Sequence, residues 1–237
     1  MKALLFGSAS IIALALGARA MLRRPAPALP GRARLSERET RAVTRRLLLH
    51  FIIPLWLGAG IADWTCHRTS HIETTTGAKE TLIHLLMLVE MGTPVLAGLF
   101  LEINAPVLAL MIASFFVHEW TALWDVSYAV TRREVTPIEQ HIHSFLEMLP
   151  LMAAAFISVL HWPALRALLG LAQDPDPSIR LKHEPLPTAY VAADLSAIAV
   201  FEMLPYLEEL WRDWRANPGR LIPPKGEPHQ VAPTPMG

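Results

Sequence analysis

The chain is poor in charge: Asp, Glu, Lys and Arg make up only 18% of its 237 residues, against about a quarter in an ordinary soluble domain. That deficit argues against a cytosolic enzyme. The 21 basic and 21 acidic residues cancel, so the chain lacks the electropositive field with which a nucleic-acid binder gathers phosphates. No nucleic-acid partner is expected. Cys66 stands alone, which excludes an internal disulfide and, with no Cys-x-x-Cys pair, a zinc ribbon or ferredoxin-type cluster. Also missing are a Walker A loop, a Gly-x-Ser-x-Gly elbow, a Rossmann glycine fingerprint, His-Glu-x-x-His and the Gly-Gly-(Asp/Glu)-Glu-Phe stretch of nucleotide cyclases. Nucleotide chemistry is not supported.

What is present is apolar length, with 52% hydrophobic residues. Hydropathy marks four strong spans, Leu47 to Cys66, Thr81 to Leu101, Ala105 to Trp124 and Ile142 to Trp162. Each rises about 30 Å as a helix, the thickness of the hydrocarbon core. Their short connections predict an up-down four-helix transmembrane bundle. A weaker fifth span covers Thr188 to Leu207, interrupted by Asp194, Glu202 and Pro205, and an amphipathic stretch from Glu208 to Arg215 carries it into the interface. Trp64, Trp124, Tyr128, Trp162 and Trp211 fall near the span ends, where amphipathic rings are most comfortable. The fold class expected is therefore all-α and polytopic, a four-helix transmembrane bundle with a fifth helix and a short N-terminal anchor.

The domain order follows. Residues 1–20 read as an anchor or signal-like segment ending in Ala18-Arg19-Ala20, a small-x-small pattern, or as a misassigned start with Met21 the true first residue. Residues 21–46 form a basic linker whose arginines resist translocation, so the positive-inside rule places it in the cytoplasm of a bacterial inner membrane. The bundle occupies 47–162, a loop 163–187, the fifth helix 188–215 and a Pro-rich tail 216–237. Pro54, Pro94 and Pro150 are expected to kink their helices.

Polar residues within the spans are patterned rather than scattered. Asp63-xxx-His67-xxx-His71 ends the first, Glu80-xxx-His84 opens the second, His118-Glu119 and Asp125 close the third, and Glu139-xxx-His143-xxx-Glu147 opens the fourth. An i, i+4 spacing lines one helix face, and up-down connectivity brings all four stripes to one side of the membrane. His141 lies about 200° round the helix from Glu139 and points away. Glu90 sits near the midplane as a deep ligand, a proton-relay residue or a partner for the fifth helix.

Burying such groups costs about 2.5 to 3.5 kcal/mol each at a helix centre. Divalent metals offset that cost, and four carboxylates neutralise two such ions. The set expected to hold them is Asp63, His67, Glu80, His84, His118, Glu139, His143 and Glu147, with Asp125 or Glu119 orienting histidines behind them. Oxygen-rich ligation with imidazole and no thiolate favours iron or manganese.

In these residues, from Asp63 to Glu147, the chain resembles the ferritin-like di-iron carboxylate proteins and the membrane fatty-acid desaturases and hydroxylases. His67-xxx-His71 matches a desaturase-type first box. Glu-xxx-His at Glu80/His84 and Glu139/His143 replaces the ferritin-like Glu-x-x-His, and His-x-x-His-His boxes are absent. The resemblance implies two iron ions and an O2-dependent oxidoreductase acting on a lipid-like or quinone-like substrate that enters from the lipid bilayer, with a redox partner. Alternatives are a zinc-dependent intramembrane hydrolase, a b-type haem protein ligated for instance by His84 and His118, and a metal or proton transporter or accessory subunit.

Overall fold

Five helices long and apolar enough to cross a membrane cover Glu37–Thr69, Ala78–Phe100, Ala105–Ala129, Pro137–Leu160 and Thr188–Ala216. The structure is a computed structural model and describes residues 36–172 and 176–224. The anchor at 1–20, the linker up to residue 35 and the tail from 225 onward lie outside the described residues. Among the described residues the chain is an all-α, polytopic membrane bundle.

The first span is one helix in three parts, α1 (Glu37–Leu47), a π turn (Leu48–Ile52) and α2 (Ile53–Thr69). It begins ten residues earlier than the hydropathy boundary at Leu47, because Ser36 and Glu39 form a capping box that starts the helix inside the basic segment. The other spans are α3 (Ala78–Phe100), α4 (Ala105–Ala129) and α5 (Pro137–Leu160). A short helix, α6 (Trp162–Leu168), occupies part of the expected 163–187 loop. The fifth span joins α7 (Thr188–Ile198), a second π turn (Ala199–Met203) and α8 (Leu204–Ala216).

Each π turn ends two residues before a proline, Pro54 and Pro205. A proline lacks the N–H of the α-helical ladder and clashes with the carbonyl one turn back. Widening that turn accommodates the ring and lets the helix continue. Pro94 and Pro150 lie inside α3 and α5, which also run through without interruption.

The interior inverts the usual arrangement. Of the eleven largest fully buried side chains among the described residues, eight are polar: His67, Glu80, Glu139, Glu209, Thr76, Thr81, Asp63 and Asp213. Meanwhile Phe51, Val89, Phe116, Trp120, Leu123 and Val159 lie on the outside. An apolar exterior around a polar centre suits a bundle whose solvent is lipid.

The fifth span is a full member of the bundle, packing against α2 and α3. The stretch from Glu208 to Arg215, expected to lie in the interface, instead turns Glu209 and Asp213 inward to complete burial and leaves Trp211 and Trp214 exposed. Arg212 pairs with Glu73, and Arg68 Nη1 donates to Glu208 Oε1 at 2.7 Å, fastening the end of α8 to the loop and helix beside it.

Candidate metal centre

At one end of the bundle meet the end of α2, the start of α3, the end of α4, the start of α5 and the end of α8. The turn into α3 depends on Gly77, whose φ of 66° is left-handed. A Cβ there would lie 2.5 Å from Pro223 Cδ, so glycine alone fits. That turn sets Glu80, Thr81 and His84 on the inner face of α3. At the start of α5, Thr136 and Glu139 form a capping box, with Glu139 N donating to Thr136 Oγ1 at 3.3 Å.

Three groups of side chains each bring one donor atom from every member within 4.8 Å of the others: Asp63, His67, Glu139 and His143; His67, His84 and Glu209; and Glu80, His84 and Asp125. In the first, His143 Nε2 is 2.9 Å from Asp63 Oδ1. His67 Nε2 is 3.5 Å from both Asp63 Oδ2 and Glu139 Oε1. Tyr206 donates its hydroxyl to Asp63 Oδ2 at 3.4 Å. In the third group His84 Nε2 lies 3.2 Å from Asp125 Oδ2.

The second group joins the other two. The rings of His67 and His84 stack with centroids 4.5 Å apart and planes 10° from parallel. Their Nδ1 atoms face a single carboxylate, at 3.2 Å to Glu209 Oε2 and 3.4 Å to Glu209 Oε1. Glu209 is in turn held by Thr81, whose Oγ1 lies 2.9 Å from Glu209 Oε1 and 2.5 Å from Asp213 Oδ2. With Nδ1–H of each ring donated to Glu209, each Nε2 is left as a lone-pair donor facing the remaining carboxylates. His67 Nε2 and Asp125 Oδ1 are buried and have no hydrogen-bond partner. Such orphaned donor atoms are costly unless something binds them, so the residues present fit a cation.

Not all of the negative charge awaits a metal. Arg133, from the α4–α5 loop, enters the cluster with its side chain only 3% exposed. Its Nη2 lies 2.6 Å from Glu80 Oε1 and 2.5 Å from Glu139 Oε1, and its Nη1 donates to Glu139 Oε2 at 2.9 Å. Burial opposes the guanidinium charge, but the hydrogen bonds to Glu139 and Glu80 outweigh it and raise the pKa further. The sequence-based charge balance, in which metals alone offset the carboxylates, is corrected by this internal cation.

The structure thus gathers Asp63, His67, Glu80, His84, Asp125, Glu139 and His143. Two expected ligands fall outside the three groups. His118 is buried two turns below Asp125, about 10 Å deeper at the rise of an α-helix, where its Nδ1 lies 3.9 Å from Glu90 Oε2. Glu147 is one turn below His143 and lines a pocket of about 60 Å³ together with Asp63, His84, His118, Asp125 and His143. Glu90 accepts from Thr121 Oγ1 at 2.8 Å. Glu119 is half-buried with one carboxylate oxygen unpartnered. His71, expected on the face of His67, follows the end of α2 with φ 52° and an exposed side chain. His141 is exposed against Phe145, away from the cluster as its helical angle requires.

Glu209, Asp213, Tyr206 and Arg133 were not singled out from sequence. A periodicity signal existed for the fifth span: Glu202, Tyr206, Glu209 and Asp213 fall at i, i+4, i+7 and i+11, one inner face. Arg133 had no such signal, being a single charge in a loop.

No protein-family model, curated protein or solved structure matches this chain.

Proposed function

We propose that this integral membrane protein is a metalloprotein holding two iron ions, and that it oxidises a hydrophobic small molecule with O2. The observation that carries the reading is the shared carboxylate of Glu209 behind His67 and His84. A histidine ligand ordinarily donates its second nitrogen to such a group, which fixes tautomer and ring orientation. Two stacked imidazoles anchored by one carboxylate offer two metal positions side by side, and the 4.5 Å ring spacing is comparable to the roughly 3.5–4 Å between ions of dinuclear sites. Asp63, His67, His143 and Glu139 serve one position; His84, Asp125 and Glu80 serve the other.

Oxygen-rich ligation selects iron or manganese over soft metals, and iron supplies O2 chemistry. Hydroxylation of a C–H bond by O2 consumes two electrons and two protons and releases one water, so a redox partner must deliver the electrons. The chain's own residues bind and orient. Arg133 keeps the buried Glu80 and Glu139 fixed, Tyr206 holds Asp63, and the small pocket below, with Met87, Leu88 and Leu146 in its wall, leaves room for O2 or the reacting end of a lipid-like or quinone-like molecule while limiting water.

A second reading follows from Arg133 itself. Because it already engages Glu80 and Glu139, the donors it leaves free in the first group are Asp63, His67 and His143, which suit one zinc with an open position and hydrolytic chemistry. Elemental analysis and an optical spectrum of detergent-purified protein separate the two. About two irons per chain with no Soret band supports the di-iron reading; one zinc supports the second; a folded chain that binds neither overturns both.

A further inference from the structure

A second, much larger cavity, of about 720 Å³, lies in the opposite half of the bundle. Its volume is within the range of about 300–1,000 Å³ found for ligand sites. Its walls are apolar and come from α1, α2, α3, α4 and α5, with Pro94 and Pro150 among them. Its mouth is different in kind: Arg41, Arg45 and Lys182 line it, with His161 and His183 beside them.

The basic groups at the mouth are available. Arg41 and Arg45 are exposed and enter no ion pair among the described residues. Lys182 is held in place by donating its Nζ to Leu101 O at 2.8 Å. Of the two acids there, Glu102 is turned to the backbone and accepts from His183 N at 2.8 Å; Glu184 is exposed. Burial pulls the Lys182 ammonium below its ordinary pKa and Arg45 adds to that, against Glu102. Burial, then Lys182 and Arg41, lower His161 likewise. An arriving anion relieves this crowding of positive charge.

Depth completes the description. Arg45 and Trp56 are eleven residues apart on one continuous helix, about 16 Å at the rise of an α-helix. That is close to half of the roughly 30 Å hydrocarbon thickness, the reach of one lipid tail. Trp56 lines the bottom of this cavity and also the small pocket beside His84, Asp125 and His143.

We propose that this cavity binds a long-chain anionic membrane lipid of the fatty-acid type, headgroup on Arg41, Arg45 and Lys182 and tail end against Trp56. A neutral lipid gains nothing from three cations at the mouth, and a soluble anion gains nothing from the apolar walls. The further step, that the tail end is what the metal centre acts on, rests on the function proposed above; the binding itself does not.

The test uses the full chain in nanodiscs of phosphatidylcholine, with stearate spin-labelled near its methyl end as probe. Subtracting the quenching seen in Trp56→Phe isolates the signal of Trp56. Saturable quenching of that signal is expected, stronger than with stearate labelled near its carboxyl end. Arg41→Gln/Arg45→Gln should weaken binding about tenfold, as loss of charge-assisted contacts does. Gly98→Leu, which fills the cavity wall next to Met111 while favouring the helix, should abolish saturation. Quenching that never saturates, or that is equal for the charge variant and for the corresponding labelled alcohol, identifies ordinary bilayer lipid and overturns the proposal. Iron content is measured on the same samples: saturable binding without iron removes the di-iron reading and leaves the lipid site, and iron without saturable binding does the reverse.

Discussion

His67 and His84, from different helices, present their Nδ1 atoms to the two oxygens of one carboxylate, Glu209, at 3.2 and 3.4 Å. Neither ring can turn without breaking that bond. Glu209 therefore governs two potential ligands at once, and its replacement tests whether the arrangement serves a metal. Glu209→Gln keeps the shape but has a single acceptor oxygen, so it can accept from one ring only, while its amide NH2 faces the N–H of the other. Metal retention against a chelator should fall by about 10–100-fold, as for other groups that support ligating histidines. Competition dialysis followed by elemental analysis measures it. A loss of melting temperature with unchanged metal retention contradicts the expectation.

Arg133 makes a separable prediction. Its guanidinium is enclosed with Glu80 and Glu139, and removing one partner of a buried charge group leaves the others uncompensated. Arg133→Met should destabilise the chain by about 3–5 kcal/mol. Removing the two stranded charges with Glu80→Gln and Glu139→Gln in the same chain should recover most of that loss. Thermal melting of the detergent-solubilised variants decides the matter. If the single variant melts with the wild type, the buried ion group does not stabilise the fold.

Much of the centre was legible in the sequence, for a physical reason. Asp63/His67, Glu80/His84 and Glu139/His143 recur at i, i+4, a spacing that one helix face enforces, and short connections left only one side of the bundle for them to meet. Depth was less legible. His118 and Glu147 share the faces but not the level, and a face-based reading does not distinguish one turn from the next. Glu209 was hidden because Glu208, Arg212 and Arg215 surround it with charge, so hydropathy assigned the stretch to the interface. Arg133 was beyond reach of any periodicity, since its entry depends on how the loop folds.

Metal removal gives a third expectation. Ligand that binds only the folded state raises stability with the logarithm of its concentration. If two ions neutralise the carboxylates at His67 and His84, stripping them should lower the melting temperature and Fe(II) added back should restore it. His67→Ala should remove this dependence, because that ring takes part in two of the three groups that could hold a cation. A chelator-treated chain that melts where the untreated one does, at matched metal-free background, argues against bound metal in the folded protein.

The last prediction concerns a close approach of two helices. Glu202, in the π turn before Pro205, lies with its carboxylate directly against Gly60, where a Cβ would overlap it. A Cβ at position 60 therefore requires the carboxylate end of Glu202, which also lines the pocket beside Asp63 and Tyr206, to move. Gly60→Ala introduces a methyl group that the flexible end of Glu202 must vacate, and overpacking of this kind costs about 1–3 kcal/mol. Alanine favours a helix over glycine, so any destabilisation must come from the contact and not from the backbone. The double variant Gly60→Ala/Glu202→Ala should regain the lost stability, since it removes the group displaced. Melting temperatures of the wild type, Gly60→Ala, Glu202→Ala and the double variant form a complete cycle. Additive effects across that cycle count against the contact; a recovery in the double variant supports it.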